Sequence, residues 1–309
     1  MNFAFDDMQT QLRREARGWL AAHYPLDRDW EAQSDSWQEL AELGWLGVSL
    51  AEDEGGAGLG FIEEAILFEE MGYALYPGPY LSTVGFALPW LSAPQRAEVA
   101  AGEARWSVEV NGLVPWLGSV DYVVADGAAY PAEGVEEPTV DPSRPLGRLE
   151  RGEGTPLEGT RNLPRARTAA ACEAVGIAQR ALELGIAHAS TREQFGRPIG
   201  VYEAVSHSLA NMYADVELAR SLVYWAAWCV AEGDEQAPVA AAAAASFATE
   251  AAVAACERAI QVHGGTGFTW EHPLHRFYKR ALWLEGFGSR PAQLRAEVAD
   301  AVLGVAIGV

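Results

Sequence analysis

The chain has 309 residues, half of them hydrophobic, which is enough for two or three subdomains around a sizeable core and excludes a disordered polymer. Its 43 acidic and 22 basic side chains leave a formal net charge of −21, which argues against nucleic acid or an anionic membrane as a partner. The three cysteines, Cys172, Cys229 and Cys256, are isolated in apolar helical contexts and read as buried free thiols of a reducing compartment.

Residues 1–100 read as an N-terminal helical domain. Met1 to Tyr24 carries charges throughout, so it predicts an amphipathic helix and not a signal peptide. Phe5, Met8, Leu12, Ala16 and Trp19 share one face of it. Ser34 or Asp35 caps a second helix that stops at Gly44, and Gly55 to Gly60 is a loop. A third helix runs from Phe61 to Met71, and a short one opens at Ser92-Ala-Pro94 and closes at Gly102.

Residues 101–162 form a reduced middle β region. Trp106 to Val110 and Asp121 to Ala125 are β-like runs among many Gly and Pro, and the stretch is too short for a complete barrel. Residues 163–309 predict a C-terminal four-helix bundle. Its helices are Arg167–Thr191, Val201–Glu232, Ala237–Val262 and one from about Pro291 to Val305. No apolar run approaches the roughly 20 residues of a membrane span. A cytoplasmic protein of mainly α class is expected.

Two segments carry chemistry. Arg192, Gln194, Phe195, Gly196 and Pro198 cluster a guanidinium, an amide, an aromatic face and a tight turn, which suits a pyrophosphate with an attached ring system. Gln261 to Phe268 adds an amide and the adjacent glycines Gly264 and Gly265, which permit close approach of backbone amides to a ligand. Taken singly, the first is equally a helix end with a dipole partner and the second a helix C-cap. Other patterns carry less. Gly55 to Gly60 follows no strand and opens no dinucleotide fold. His263, His272 and His275 lack the thiol or carboxylate spacing of a metal site. Ser206-His207-Ser208 lies inside a helix without a nucleophile elbow. Arg161, Arg165 and Arg167 are either a solvated entry to the bundle or a contact for a partner or for phosphates.

Together the two segments resemble the C-terminal domain of the acyl-CoA dehydrogenase family. Gly44-Trp-Leu-Gly-Val, Glu52 to Gly60 and Glu63 to Gly72 resemble its N-terminal helical domain. The resemblance covers the two helical portions, about three quarters of the chain, and implies helical, β and helical-bundle domains that oxidise acyl-CoA thioesters with FAD. It further implies that Arg192, Gln194, Phe195, Gln261, Gly264 and Gly265 reach the FAD pyrophosphate and adenosine of a neighbouring subunit. The flavin-covering stretches of the family's β domain have no counterpart between Leu91 and Arg161, and the catalytic glutamate is also missing. Aligning Lys279-Arg-Ala281 without gaps on the family's arginine-aspartate-alanine puts Gly288 at its position. Glu285 falls three residues early. In a second family group the glutamate sits on the first bundle helix, where Arg167 stands; Glu173 lies nearby on another turn, as a solvated helix charge.

The resemblance therefore implies a subunit without catalytic residues or metal. It shares FAD with a homologous catalytic acyl-CoA dehydrogenase subunit, as a heterodimer or an α2β2 assembly, acting on a bulky or steroid-derived acyl-CoA, with an electron-accepting flavoprotein as a further partner. Two alternatives stand beside it: a self-sufficient homo-oligomeric enzyme with Glu285 or Glu173 as base, and a flavin-free scaffold or acyl-binding module.

Overall fold

The computed structural model describes residues 4–30 and 34–304. Helix α1 (Asp7–His23) begins with a reciprocal cap in which Asp6 accepts from the Gln9 amide at 2.8 Å and Gln9 accepts back from the Asp6 amide at 3.2 Å. Ala16 and Leu20 are buried, with Phe5, Leu12 and Trp19 packed beside them. Met8, expected on that face, is 49% exposed. The expected helical residues Met1 to Phe3 lie outside the described ones. Helix α2 (Trp37–Glu42) starts at Ser36, and Asp35 accepts weakly from the Trp37 amide.

Helix α3 (Phe61–Ala74) is buried almost all round, its glutamates included. Three of its four carboxylates are balanced from outside, and the fourth, Glu63, accepts from the Gln9 side-chain amide at 2.8 Å. Arg13 and Arg17 of α1 hold Glu70, Arg13 also holds Glu69, and Arg165 holds Glu64. Buried charges survive only when paired in this way. A π-helical turn (Leu81–Ala87) and α4 (Ala93–Ala100) complete the N-terminal helices.

The middle of the chain holds seven short strands: β1 (Trp106–Val108), β2 (Val114–Pro115), β3 (Tyr122–Ala125), β4 (Ala128–Pro131), β5 (Gly134–Glu137), β6 (Leu146–Leu149) and β7 (Thr155–Pro156). They form two open sheets, ordered β1-β3-β4-β7 and β2-β6-β5. The runs at β1 and β3 were expected; the other strands, two to four residues long, lie among glycines, prolines and charges that mask them.

Helix α5 (Leu163–Thr191) is capped by Asn162 and begins four residues before the expected start at Arg167. It crosses α3 at backbone contact. A Cβ on Gly72 would lie 2.1 Å from the Glu173 carbonyl oxygen, and one on Gly176 would lie 1.9 Å from that of Glu69. Glycine is required at both positions to lock the N-terminal helices onto the bundle. A two-strand hairpin, β8 (Glu193–Gln194) and β9 (Arg197–Pro198), leads to α6 (Glu203–Glu232) and α7 (Ala237–His263). His188 at the end of α5 stacks on His263 at the end of α7, so α5 and α7 run parallel with α6 returning between them.

Two expectations need correction. The stretch between the glycine segment and Pro291 holds a further helix, α8 (Leu274–Gly286), so the C-terminal unit has one helix more than four among the described residues. The last helix, α9, spans Pro291–Leu303, and its expected end at Val305 lies outside the described residues. Residues Ala237–Phe268 are also long and apolar enough to cross a membrane, contrary to the sequence reading. Two thirds of that window is buried against neighbouring helices, which makes α7 the core helix of the bundle; its small alanines admit close neighbours.

Candidate functional site

At the common end of α5 and α7 the chain builds a surface and leaves it uncovered. Arg192 ends α5 in extended conformation, and the hairpin turns through Phe195 (φ +55°) and Gly196 (φ +78°), both left-handed. Such a two-residue turn matches the twist of a hairpin, but a bulky aromatic at positive φ is disfavoured. Phe195 is nevertheless held there and is 94% exposed. The base of the hairpin is braced. The Tyr202 hydroxyl donates to the Gln194 carbonyl at 3.0 Å, the Ile199 amide donates to the Arg192 carbonyl at 2.8 Å, and the Arg197 guanidinium stacks 4.5 Å from the Tyr202 ring centroid. Local strain and full exposure on a braced support are what a presented contact residue requires.

Gln261 lies exposed on the last turn of α7, and Gly264 and Gly265 follow, also exposed. Gly264 has φ +64° and ψ −140°, a conformation suited to glycine. Gly265 does not have a positive φ, and a Cβ built there would meet nothing within 4 Å. Neither its conformation nor the packing of this chain demands glycine at 265, whereas a ligand or partner approaching that backbone would. Phe268 and Trp270, 73% and 70% exposed, continue the surface. The six residues expected to touch a dinucleotide thus divide between two segments that the His188–His263 stack, 4.2 Å between ring centroids, brings to one end of the bundle.

The junction between the β region and the bundle is different. A cavity of about 330 Å³ lies there, walled by Phe86, Trp90, Val108, Trp283 and Phe287. Gly288 lines it, and its carbonyl accepts from the Asn111 side-chain amide at 2.9 Å. Glu285 does not line it. Burial, then Glu250 and Glu257, raise the pKa of Glu285, which places it towards α7. Two carboxylates at the cavity, Glu109 and Asp126, were missed in sequence, because each sits at the edge of a short strand with no motif around it; both are tied to Arg151.

Glu173 is a correction. It is buried, not solvated, and one carboxylate oxygen receives both Arg144 and Arg280, the latter at 2.9 Å. Arg280 also pairs with Asp141 and donates to the Ser143 hydroxyl at 2.7 Å and the Tyr76 carbonyl at 3.2 Å. Arg144 lies between the rings of Trp116 and Trp283, 4.7 and 4.5 Å from their centroids. Burial, then Arg280, push the Arg144 guanidinium down to about 10, against the pull of Glu173 and Asp141. Burial works to raise Asp141, but Arg280, Ser143 and Arg144 prevail and hold it below the ordinary carboxylate range. The Glu173 carboxylate is thus tied into a buried ion-pair network that joins α5, α8 and the β region.

The basic trio is also resolved. Arg165 pairs with Glu64, and Arg167 pairs with Glu297 at 2.6 Å; Arg161 is exposed at the cavity edge. Among the described residues no cluster of three His, Cys, Asp or Glu could hold a metal ion.

These residues fit one part of a flavin dinucleotide and not another. The exposed guanidinium, amide, aromatic ring and bare glycine backbone suit its pyrophosphate and adenosine. The junction cavity is at the low end of ligand-site volumes, too small to enclose a dinucleotide.

Comparison with known proteins identifies the family. Residues 6–90 match the family model "Acyl-CoA dehydrogenase, N-terminal domain", and residues 152–302 match "Acyl-CoA dehydrogenase, C-terminal domain". The chain is 35% identical to the acyl-CoA dehydrogenase FadE34 of Mycobacterium tuberculosis over 91% of its own length, and it spans 46% of that relative. It is 36% identical to the acyl-CoA dehydrogenase IpdE2 of the same organism, covering 79% of each chain. Among solved structures it resembles a chain of the Tcur3481-Tcur3483 steroid ACAD with a TM-score of 0.84 and 26% identity, over 96% of this chain and 98% of that one.

Proposed function

This chain belongs to the acyl-CoA dehydrogenase family, and from that premise we propose that it is the non-catalytic subunit of a heteromeric member. Its partner is a homologous subunit with a complete β domain and a glutamate base, in a heterodimer or an α2β2 assembly. The substrate is an acyl-CoA thioester with a bulky, steroid-like acyl group, and the electrons leave to an acceptor flavoprotein. FAD supplies hydride acceptance from the acyl β-carbon when bound. This chain's residues grip its nucleotide tail: Arg192 pairs with the pyrophosphate, Gln194 and Gln261 hydrogen-bond around it, Phe195 covers the adenosine, and the Gly264-Gly265 backbone lies against it.

The observation that carries this reading is Gly265, a glycine exposed at the bundle end that this chain needs neither for conformation nor for packing. The junction supports it from the other side. Gly288 offers no carboxylate, Glu173 is spent on Arg144 and Arg280, and Glu285 faces α7. The test is to purify the chain alone and with a longer homologue, then record flavin absorbance and acyl-CoA turnover. The lone chain is expected to carry neither, and the complex both. Stoichiometric FAD with turnover in the lone chain overturns the proposal.

A further inference from the structure

Four of the six histidines meet at the bundle end. His263, buried on the last turn of α7, stacks on His188 of α5 at 4.2 Å and lies tilted against His272 at 4.4 Å between ring centroids. His275 follows at the start of α8 and packs edge-on against Trp270 at 4.7 Å. The chain of rings therefore joins the helix that ends at Arg192 to the loop that carries Gly264 and Gly265.

The hydrogen bonds fix how these rings are protonated. His263 Nδ1 donates to the Ala259 carbonyl at 2.8 Å. His272 Nδ1 accepts from the Leu274 amide, the first of α8, at 3.3 Å. Protonating His272 turns that acceptor into a donor facing a donor, and the bond is lost. It also places a cation against two other imidazoles.

The surroundings offer no relief. Burial, then His263, His188 and His275, act to keep His272 neutral, and lower its pKa to about 4. Burial, then His263 and Arg192, lower His188. Burial, Arg276 and Lys279 lower His275, with the Trp270 backbone opposing. The charged groups reaching the cluster from α5 and α8 are thus all basic. Glu203 and His207 on the first turn of α6, and Glu271 beside His272, are exposed to water.

We propose that the His188–His263–His272 stack is an acid-sensitive latch that holds the glycine loop against the end of α5 and so regulates the nucleotide-tail surface. Neutral, the stack keeps Gly264-Gly265 beside the Arg192 hairpin. Protonated, it parts, the start of α8 loosens, and the tail is released. The inference rests on the lending role proposed above, so its test has one arm that does not need FAD.

In the lone chain, labelled on histidine Cε1 and backbone nitrogen, NMR signals of Gly264, Gly265 and Leu274 are expected to move together with the imidazole signals as the pH falls from 7.5 to 4.0. His272→Asn, which keeps an acceptor near the Leu274 amide but cannot be protonated, is expected to flatten that response. His272→Phe checks that retained ring contact alone does the same. In the assembled complex the FAD retained at pH 4.0 is expected to fall at least tenfold from its pH 7.5 value, and His272→Asn to restore it. Loop signals that ignore pH, or an unchanged midpoint in both variants, overturn the latch. So does a complex that holds FAD equally at both pH values. A lone chain that opens, with a complex that binds no FAD at any pH, overturns the lending role and leaves the latch standing.

Discussion

The two ends of the C-terminal helical unit treat their polar groups in opposite ways. At the bundle end Arg192, Gln194, Gln261 and the bare backbone of Gly265 stand exposed, and Phe195 is strained outward into solvent. At the β–bundle junction Glu173, Arg144, Arg280 and Asp141 are buried and consume one another's charges, while Glu109 and Asp126 share Arg151. Groups paired off in the interior serve the fold. The contrast separates an exposed, polar surface from a junction whose buried charges are paired within the chain.

The comparison breaks most visibly at the junction. Glu173→Ala leaves two buried guanidiniums without their shared partner, and removing one member of a buried charge network costs about 3–5 kcal/mol. Denaturant unfolding of the lone chain is expected to show that loss. A variant as stable as the wild type would mean that Glu173 is not structural and returns it to the list of candidate bases.

At the bundle end the same kind of change should spare the fold. Arg192→Ala is expected to leave unfolding within about 0.5 kcal/mol, as for other surface substitutions. Loss of a charge-assisted contact to pyrophosphate, about 1.5–3 kcal/mol, weakens FAD retention in the complex by roughly ten- to a hundredfold. Gly265→Val goes further in the same direction: unchanged stability of the lone chain with loss of FAD from the complex. If Gly265→Val destabilises the lone chain instead, the glycine has an internal purpose and the contrast fails.

A smaller effect sharpens the junction side. Glu285→Gln is expected to change turnover of the complex by less than about twofold, since Glu285 does not line the cavity. A loss of a hundredfold or more, the scale of a general base, would make Glu285 catalytic.

The smallest effect is in pH. The folded pKa of His272 lies near 4 against an ordinary 6.5, so the unfolded chain binds more protons between those values. The stability tied to neutral His272 is therefore fully present above about pH 6.5 and lost as the pH falls towards about 4. Thermal unfolding of His272→Asn is expected to show a shallower decline over that window than the wild type.

Much of the fold could be read from local pattern. Helices α1 and α3 to α7 follow apolar spacing, caps and glycine stops, and the two nucleotide-tail segments stand out because each packs unusual residue types into a few positions. Helix α8 was hidden although Leu274, Phe277, Ala281 and Leu284 keep helical spacing and are buried, because glycines bracket a short stretch of mixed polarity. The small strands were hidden among glycines, prolines and charges. Glu173 misled because a glutamate on a long helix is usually solvated, and the partners that bury it stand 29 and 107 residues away.

The sequence by itself determined the family, the helical frame and the identity of the residues offered at the bundle end, since periodicity, capping and glycine turns act within a few residues. Only the tertiary structure decided which charges are free. Burial and ion pairing depend on segments brought together from across the chain: Arg144 and Arg280 onto Glu173, His188 onto His263, Gly72 against the Glu173 backbone. The energy of a charge is set by what surrounds it in space, and that neighbourhood has no local signature.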